Sequence, residues 1–252
     1  MRIVRFATKG GAKYGVVREG RVHEVQGDIC GKYTVAKSGA PLGRLRLLPP
    51  CEPTKIVGVG LNYRDHAEEM HFPIPEEPVL FLKPLTAILP PEGKIVYPPS
   101  CQRLDYEAEL AIVIKRKARY VPPAKALRYV LGYTCFNDVT ARDLQKKDGR
   151  STRAKSFDTF APFGPWIETA LNLDDAPVRA RLNGIIMQDS NISNFIFDVP
   201  TLVSFVSEVM TLEPGDLIAT GTPSGIGPMQ PGDVIEIEVG GIGTLRNRVV
   251  KA

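Results

Sequence analysis

The stretch Asp105-Tyr106-Glu107-Ala108-Glu109-Leu110-Ala111-Ile112-Val113-Ile114 decides how the rest of the chain is read. Alternation along a strand sends Asp105, Glu107 and Glu109 to one face and Tyr106, Ala108, Leu110, Ile112 and Ile114 to the other. Ala111 and Val113 continue the acidic face as apolar positions, so the strand is predicted to be buried on both sides beyond Glu109. Alternate carboxylates lie about 6–7 Å apart and repel by about 2–3 kcal/mol at an effective dielectric of about 20. Such a cluster at the mouth of an apolar strand needs a compensating cation, most simply a bound metal. Oxygen ligands with no Cys or His nearby suit a hard ion such as Mg²⁺, Mn²⁺ or Ca²⁺. On these residues alone, a solvated strand end is the competing reading.

Short apolar runs surround this strand. Lys55–Val59, Val79–Lys83, Lys94–Tyr97, Tyr129–Phe136, Leu217–Thr220 and Val234–Val239 read as further strands. Helices are predicted from Asn62 to Met70, over Val139–Lys146 with Asp138 as N-cap, and over Pro200–Met210. Ala124–Val130 also carries a helical pattern, and it overlaps the strand that starts at Tyr129. Strands dominate and do not alternate with helices, which indicates an α+β, mostly β architecture rather than a doubly wound parallel sheet. Residues 1–50 read as a small β-rich unit with strands at Arg2–Phe6, Tyr14–Arg18 and Arg21–Val25. The Pro-rich run at 47–53 reads as a linker to a main domain spanning 54–252.

Composition narrows the function classes. A chain of 252 residues with 43% hydrophobic content supports a sizeable core, yet contains no apolar run of the ~18 residues that a membrane helix needs. The start, Met-Arg-Ile-Val-Arg-Phe, has no apolar signal core, so a cytoplasmic location is expected. The densest basic stretch, residues 145–155, has no aromatic side chains for stacking bases, and the net charge is only +4; both weigh against nucleic acid. Cys30, Cys51, Cys101 and Cys135 show no Cys-x-x-Cys spacing, which argues against a zinc finger and for reduced thiols.

Two further clusters and two smaller features carry chemistry. On the predicted helix after Asp138, the spacing i, i+4, i+7 sets Asp138, Arg142 and Gln145 on one stripe. Asp138 can complete a metal site there, and an Arg fork grips a carboxylate bidentately. In Asn62–Met70, His66 and Glu69 share a helix face, and a carboxylate beside an imidazole builds a general base; His71 is the rival. Lys155, close to three phenylalanines, can hold a desolvated cation against an oxyanion. Gly221-Thr-Pro-Ser-Gly-Ile-Gly227 offers backbone N–H groups and the Thr222 hydroxyl to an anion. An ordinary capped helix, a solvated charged helix and a plain hairpin turn are the competing readings.

Taken in chain order, six segments resemble the fumarylacetoacetate hydrolase family. They are Gly-Leu-Asn-Tyr-Arg-Asp-His-Ala-Glu-Glu (60–69), Pro-Val-Leu-Phe-Leu-Lys-Pro (78–84), Asp-Tyr-Glu-Ala-Glu-Leu (105–110), Asn-Asp-Val-Thr-Ala-Arg-Asp-Leu-Gln (137–145), Ala-Lys-Ser-Phe-Asp (154–158) and Pro-Gly-Asp-Leu-Ile-Ala-Thr-Gly-Thr-Pro-Ser-Gly-Ile-Gly (214–227). The resemblance implies a mixed β-roll core, a homodimer, and Mg²⁺ or Mn²⁺ held by Glu107, Glu109 and Asp138. It implies a His66–Glu69 base dyad on a lid, Lys155 as oxyanion stabiliser, and Arg142, Gln145 and Thr222 as substrate contacts. The implied substrate is a small 2-oxo carboxylate, with no nucleic-acid or membrane partner. C–C hydrolysis of an acylpyruvate and decarboxylation of a 2-oxo diacid are the leading reactions. A 2-hydroxyhepta-2,4-diene-1,7-dioate or 5-carboxymethyl-2-hydroxymuconate isomerase of aromatic catabolism is the alternative, and a non-catalytic metabolite-binding protein is the rival of another class.

Overall fold

The strand Ala108–Ile114 is buried along its whole length, as its two-sided apolar pattern requires. It lies inside the largest sheet of a computed structural model that describes residues 1–252. The path through that sheet runs Tyr33–Pro41, Arg21–Gly27, Gly11–Arg18, Arg2–Thr8, Ala161–Glu168, Val130–Asn137, Ala108–Ile114, Leu217–Ala219, Ile56–Gly60, Val79–Lys83. Pairing along this path is antiparallel except between Leu217–Ala219 and Ile56–Gly60, which run parallel. Val79–Lys83 is therefore an edge strand. A five-stranded sheet (Ile185–Asn191, Pro177–Leu182, Val234–Val239, Gly243–Lys251, Lys94–Tyr97) packs against the centre of the large one. A three-stranded sheet joins Thr140–Ala141, Leu104–Tyr106 and Gly227–Met229. The fold is thus mostly β with mixed sheets, as expected for the fold class. No helix is long and apolar enough to cross a membrane.

The acidic stretch departs from the expectation of one continuous strand. Leu104–Tyr106 belongs to the three-stranded sheet and Ala108–Ile114 to the large one, with Glu107 at the joint. Side chains take over the backbone donors at this joint: Glu107 N–H donates to Asn137 Oδ1 at 3.1 Å and Ala108 N–H to Gln188 Oε1 at 2.9 Å. The ladder is interrupted while both backbone N–H groups stay bonded, although Nδ2 of the buried Asn137 is left without a partner.

The strands of the first 50 residues share the large sheet, because Arg2 and Ile3 pair with Glu168 and Ile167. Within the expected linker, Leu47–Leu48 pairs with Arg5 and Phe6. Tyr33–Pro41 escaped pattern reading because its side chains are mostly exposed and mixed in polarity.

Helix α1 spans Arg64–Met70, α2 Arg142–Asp148 and α3 Val199–Val209. The start of α1 lies beyond Asn62, whose buried amide is spent elsewhere, on Phe197 N and O and on Thr220 O. Asp138 does not cap α2, contrary to the expectation from sequence. Thr140–Ala141 is drawn into pairing with Leu104 and Asp105, so the helix begins only at Arg142, with Ala141 at the cap position. Asp138, Arg142 and Gln145 consequently do not form one helical stripe. For α3, Asp198 accepts the N–H of Thr201 at 2.9 Å, a side-chain cap. A 3₁₀ helix over Pro123–Tyr129 runs directly into the strand Val130–Asn137, which accounts for the overlapping patterns there.

Candidate active site

Glu107, Glu109 and Asp138 place carboxylate oxygens within 4.8 Å of one another, and all three side chains are buried. Glu107 comes from the joint between two sheets, Glu109 from the start of a central strand, and Asp138 from the residue after Val130–Asn137. Their environments differ. Burial pushes Glu107 up, but Lys155 and Arg142 overcome this and hold it well below the usual carboxylate range. Glu109 is raised far above that range by burial, reinforced by the charges of Asp138 and Glu107. No cationic side chain pairs with Glu109; it receives only the backbone N–H of Gly221, at 3.0 Å. A buried carboxylate with no direct ion-pair partner, converging with two others, fits a hard divalent cation, and the all-oxygen donor set agrees. This cluster can hold a metal ion.

A cage of fixed cations surrounds it. Lys155 Nζ donates to Glu107 Oε2 at 2.9 Å and to Asp138 Oδ2. Burial depresses the lysine, yet Asp138 and Glu107 prevail and hold its pKa above the ordinary value, so it stays an ammonium. Lys83, fully buried on the edge strand, reaches the other oxygen of Asp138 and the carbonyl of Val139 at 3.1 Å. Its pKa is lowered, because burial outweighs Asp138 and Lys155 adds like-charge repulsion. Arg142 spends all three nitrogens: Nε on Asp105 Oδ2 at 2.9 Å, one terminal nitrogen on Glu107, the other on Gln145 Oε1 at 2.6 Å. Asp105 is the hinge of this arrangement, since its second oxygen accepts from Arg103 Nε at 2.9 Å.

The expected dyad is formed. His66 Nδ1 lies 2.9 Å from Glu69 Oε2, while Glu69 Oε1 accepts the N–H of Gly225 at 3.0 Å. This leaves Nε2 of His66 free. Asp65 ties the helix down further by accepting from Ser190 Oγ at 2.5 Å. His71 is excluded as the partner: it ends α1 in the left-handed conformation, exposed, and does not line the cavity.

Eight of the nine residues singled out from sequence line one cavity of about 450 Å³: His66, Glu107, Glu109, Asp138, Arg142, Gln145, Lys155 and Thr222. Glu69 stands behind His66 and is the exception. Two details differ from expectation. The ring against Lys155 is Phe81, 4.7 Å from Nζ, rather than one of the neighbouring phenylalanines. The Thr222 hydroxyl is already engaged, donating to Ala108 O at 3.0 Å and accepting from Gln188 Nε2 at 2.9 Å. Sequence reading missed Lys83, Gln188 and the role of Asp105. A lysine inside the apolar run Val-Leu-Phe-Leu-Lys was a usable signal for the first; nothing local marks Gln188.

Residues 55–250 match the family model described as fumarylacetoacetate (FAA) hydrolase C-terminal, and residues 1–50 one described as Rv2993c-like, N-terminal. A solved structure of 5-carboxymethyl-2-hydroxymuconate delta-isomerase from Mycobacterium smegmatis aligns with a TM-score of 0.94 at 43% identity, covering 100% of both chains. A 2,4-didehydro-3-deoxy-L-rhamnonate hydrolase from Sphingomonas sp. is 36% identical over 274 residues, 99% of this chain and 96% of that protein. An oxaloacetate tautomerase (FAHD2A, mitochondrial) from Bos taurus is 39% identical over 218 residues, 81% of this chain and 69% of that protein.

Proposed function

Because the chain belongs to the fumarylacetoacetate hydrolase family, we propose that it is a Mg²⁺- or Mn²⁺-dependent enzyme that hydrolyses a C–C bond in a small 2-oxo carboxylate of the acylpyruvate type. The observation that carries this reading is His66, backed by Glu69, lining the same cavity as three buried, converging carboxylates. Glu107, Glu109 and Asp138 hold the cation. When bound, it supplies Lewis-acid polarisation and a template for a 2-oxo acid.

The chain's own groups do the rest. Glu69 accepts the Nδ1 proton of His66 and so fixes the tautomer that leaves Nε2 basic. His66 takes a proton from water at Nε2, and the water oxygen adds to the distal carbonyl. The C–C bond electrons pass to the pyruvyl fragment as an enolate, and the Lys155 ammonium stabilises that charge. Arg142, held rigid by Asp105 and Gln145, directs the carboxylate end, with Gln145 and Thr222 beside it.

Isomerisation of a 2-hydroxy-dienoate is the second reading, favoured by the full-length match to the Mycobacterium smegmatis isomerase. It uses the same fixed wall and a proton shuttle at His66 without attack by water. A homodimer belongs to the proposal as well. Its support is the exposed run Ile185, Ile186 and Met187 on the edge strand Ile185–Asn191, an apolar surface of the kind a second copy covers.

Purified protein assayed with Mg²⁺ or Mn²⁺ against acylpyruvates, oxaloacetate and hydroxymuconate-type dienoates tests the reading, with pyruvate, CO₂ and enol absorbance followed together. Pyruvate release that disappears in His66→Ala, with metal affinity retained, is the expected result. Unchanged metal binding in Glu107→Ala, or full activity in His66→Ala, overturns it.

A further inference from the structure

The cavity is lined by two chemically distinct groups of side chains. Its cations, Arg142, Lys146 and Lys155, all lie between residues 142 and 155, on α2 or in the segment after it; Arg142 and Lys155 are held by carboxylates, and Lys146 is exposed. The other group comprises Met70, Phe72, Val79, Leu80 and Ile226, from the end of α1, the following loop, the edge strand and the Gly-rich turn. This group contains no cation; His66, in the cavity wall beside it, already faces Glu69, and His71, between Met70 and Phe72 in the chain, is exposed and does not line the cavity. Met70, Phe72 and Val79 are 39%, 55% and 59% exposed, a cluster of large apolar side chains at the mouth of an otherwise charged site. Such clusters are regularly covered by a ligand or partner.

We propose that Met70, Phe72, Val79, Leu80 and Ile226 form a subsite for an uncharged alkyl or aryl tail. The inference rests on the reading that the acidic centre takes a 2-oxo carboxylate, and it specifies the class: one carboxylate at the oxo end, an apolar group at the other. An apolar tail gains by covering these side chains. A second carboxylate placed against them loses hydration and meets no cation in return. Dioates are therefore disfavoured. With an acylpyruvate of this class, the water oxygen bonds to the acyl carbon, the C–C pair leaves with the pyruvyl fragment and is protonated, and the products are pyruvate and a simple alkyl or aryl carboxylate.

Calorimetry of Mn²⁺-loaded protein with 2-oxohexanoate and 2-oxohexanedioate tests this without turnover. The two acids have the same chain length and differ only in a terminal methyl or carboxylate. The monoacid is expected to bind at least about tenfold more tightly, and Phe72→Ala to weaken the monoacid while leaving the dioate unchanged. Met70→Lys, at a partly exposed position that tolerates charge, should bring the two affinities together. Equal or tighter binding of the dioate to the unaltered chain, or a preference untouched by Met70→Lys, overturns the subsite. Pyruvate is the third arm: failure of pyruvate itself to bind in Mn²⁺ overturns the underlying 2-oxo acid reading, and with it the subsite. Pyruvate binding with no tail preference overturns the subsite alone.

Discussion

Gly221 gives Glu109 its only hydrogen bond, from backbone N–H to Oε2 at 3.0 Å. Gly221 has φ +88°, and a Cβ there falls 2.9 Å from the Cβ of Asn62 and 3.2 Å from the carbonyl of Val59. The glycine is required both by its dihedral and by the close approach of the loop that follows α1's approach strand. Gly221→Ala is expected to destabilise the protein by about 1–3 kcal/mol and to weaken Mn²⁺ binding. Urea unfolding and calorimetry read the two effects; native-like stability and affinity together would contradict the assignment.

Lys83 is a buried ammonium whose carboxylate partner, Asp138, is also engaged by Lys155. Removing one member of a buried ion pair costs about 3–5 kcal/mol where the other is left uncompensated. Asp138 keeps Lys155, so Lys83→Met is expected to lose less than that in metal-free protein, and to recover part of the loss at saturating Mn²⁺, which replaces positive charge at the cluster. Urea midpoints with and without Mn²⁺ measure this. A metal-independent loss would show that Lys83 acts by packing alone.

Much of this centre was legible from sequence, because each functional group carries a strong local signature. Glu107 and Glu109 stand out against an apolar strand, and His66 and Glu69 meet by helical spacing alone. What was not legible depends on pairing across the chain. The break at Glu107 follows from Asn137 and Gln188, 30 and 80 residues away, capturing two backbone amides. Asp138 failed as a helix cap because Leu104 and Asp105 claim the intervening residues for a sheet. Pattern rules see neither competition.

Asp105 is a positioning residue. Its two oxygens hold Arg142 and Arg103 and make no approach to the other acids. Asp105→Asn should leave Mn²⁺ affinity nearly unchanged and raise KM for 2-oxo acids about 10- to 100-fold, the loss expected for one charge-assisted hydrogen bond of about 1.5–3 kcal/mol. An amide or ester analogue lacking the carboxylate should be insensitive to the change. Equal effects on both substrates would refute the role.

Alkaline stability depends on several thiols and phenols whose pKa burial raises, three of them in the core strands or beside the acids. Burial raises Cys135 from an ordinary 9.0 to about 12, and Tyr106 and Tyr133 from 10.0 to about 12. Between the ordinary and the raised values the folded chain keeps protons that the unfolded chain has released, so stability falls as pH rises. Unfolding free energy should therefore decline from about pH 9 upward. Cys135→Ala should lower the whole curve through lost packing yet flatten the earliest part of the decline. An unaltered slope would mean the thiol does not contribute.

The edge position of Val79–Lys83 has a consequence for descent. A strand paired on one side only tolerates altered side chains better than one in the middle of a sheet, and the cavity-lining residues Val79 and Leu80 lie on it. Glu109 stands on a central, two-sided strand, and Glu107 and Asp138 adjoin the ends of two such strands, where almost any exchange disturbs the core. A lineage can therefore alter the rim of the cavity by changing a few peripheral side chains while the acidic centre stays fixed. In this molecule, the rim and the acidic floor are free to evolve at different rates.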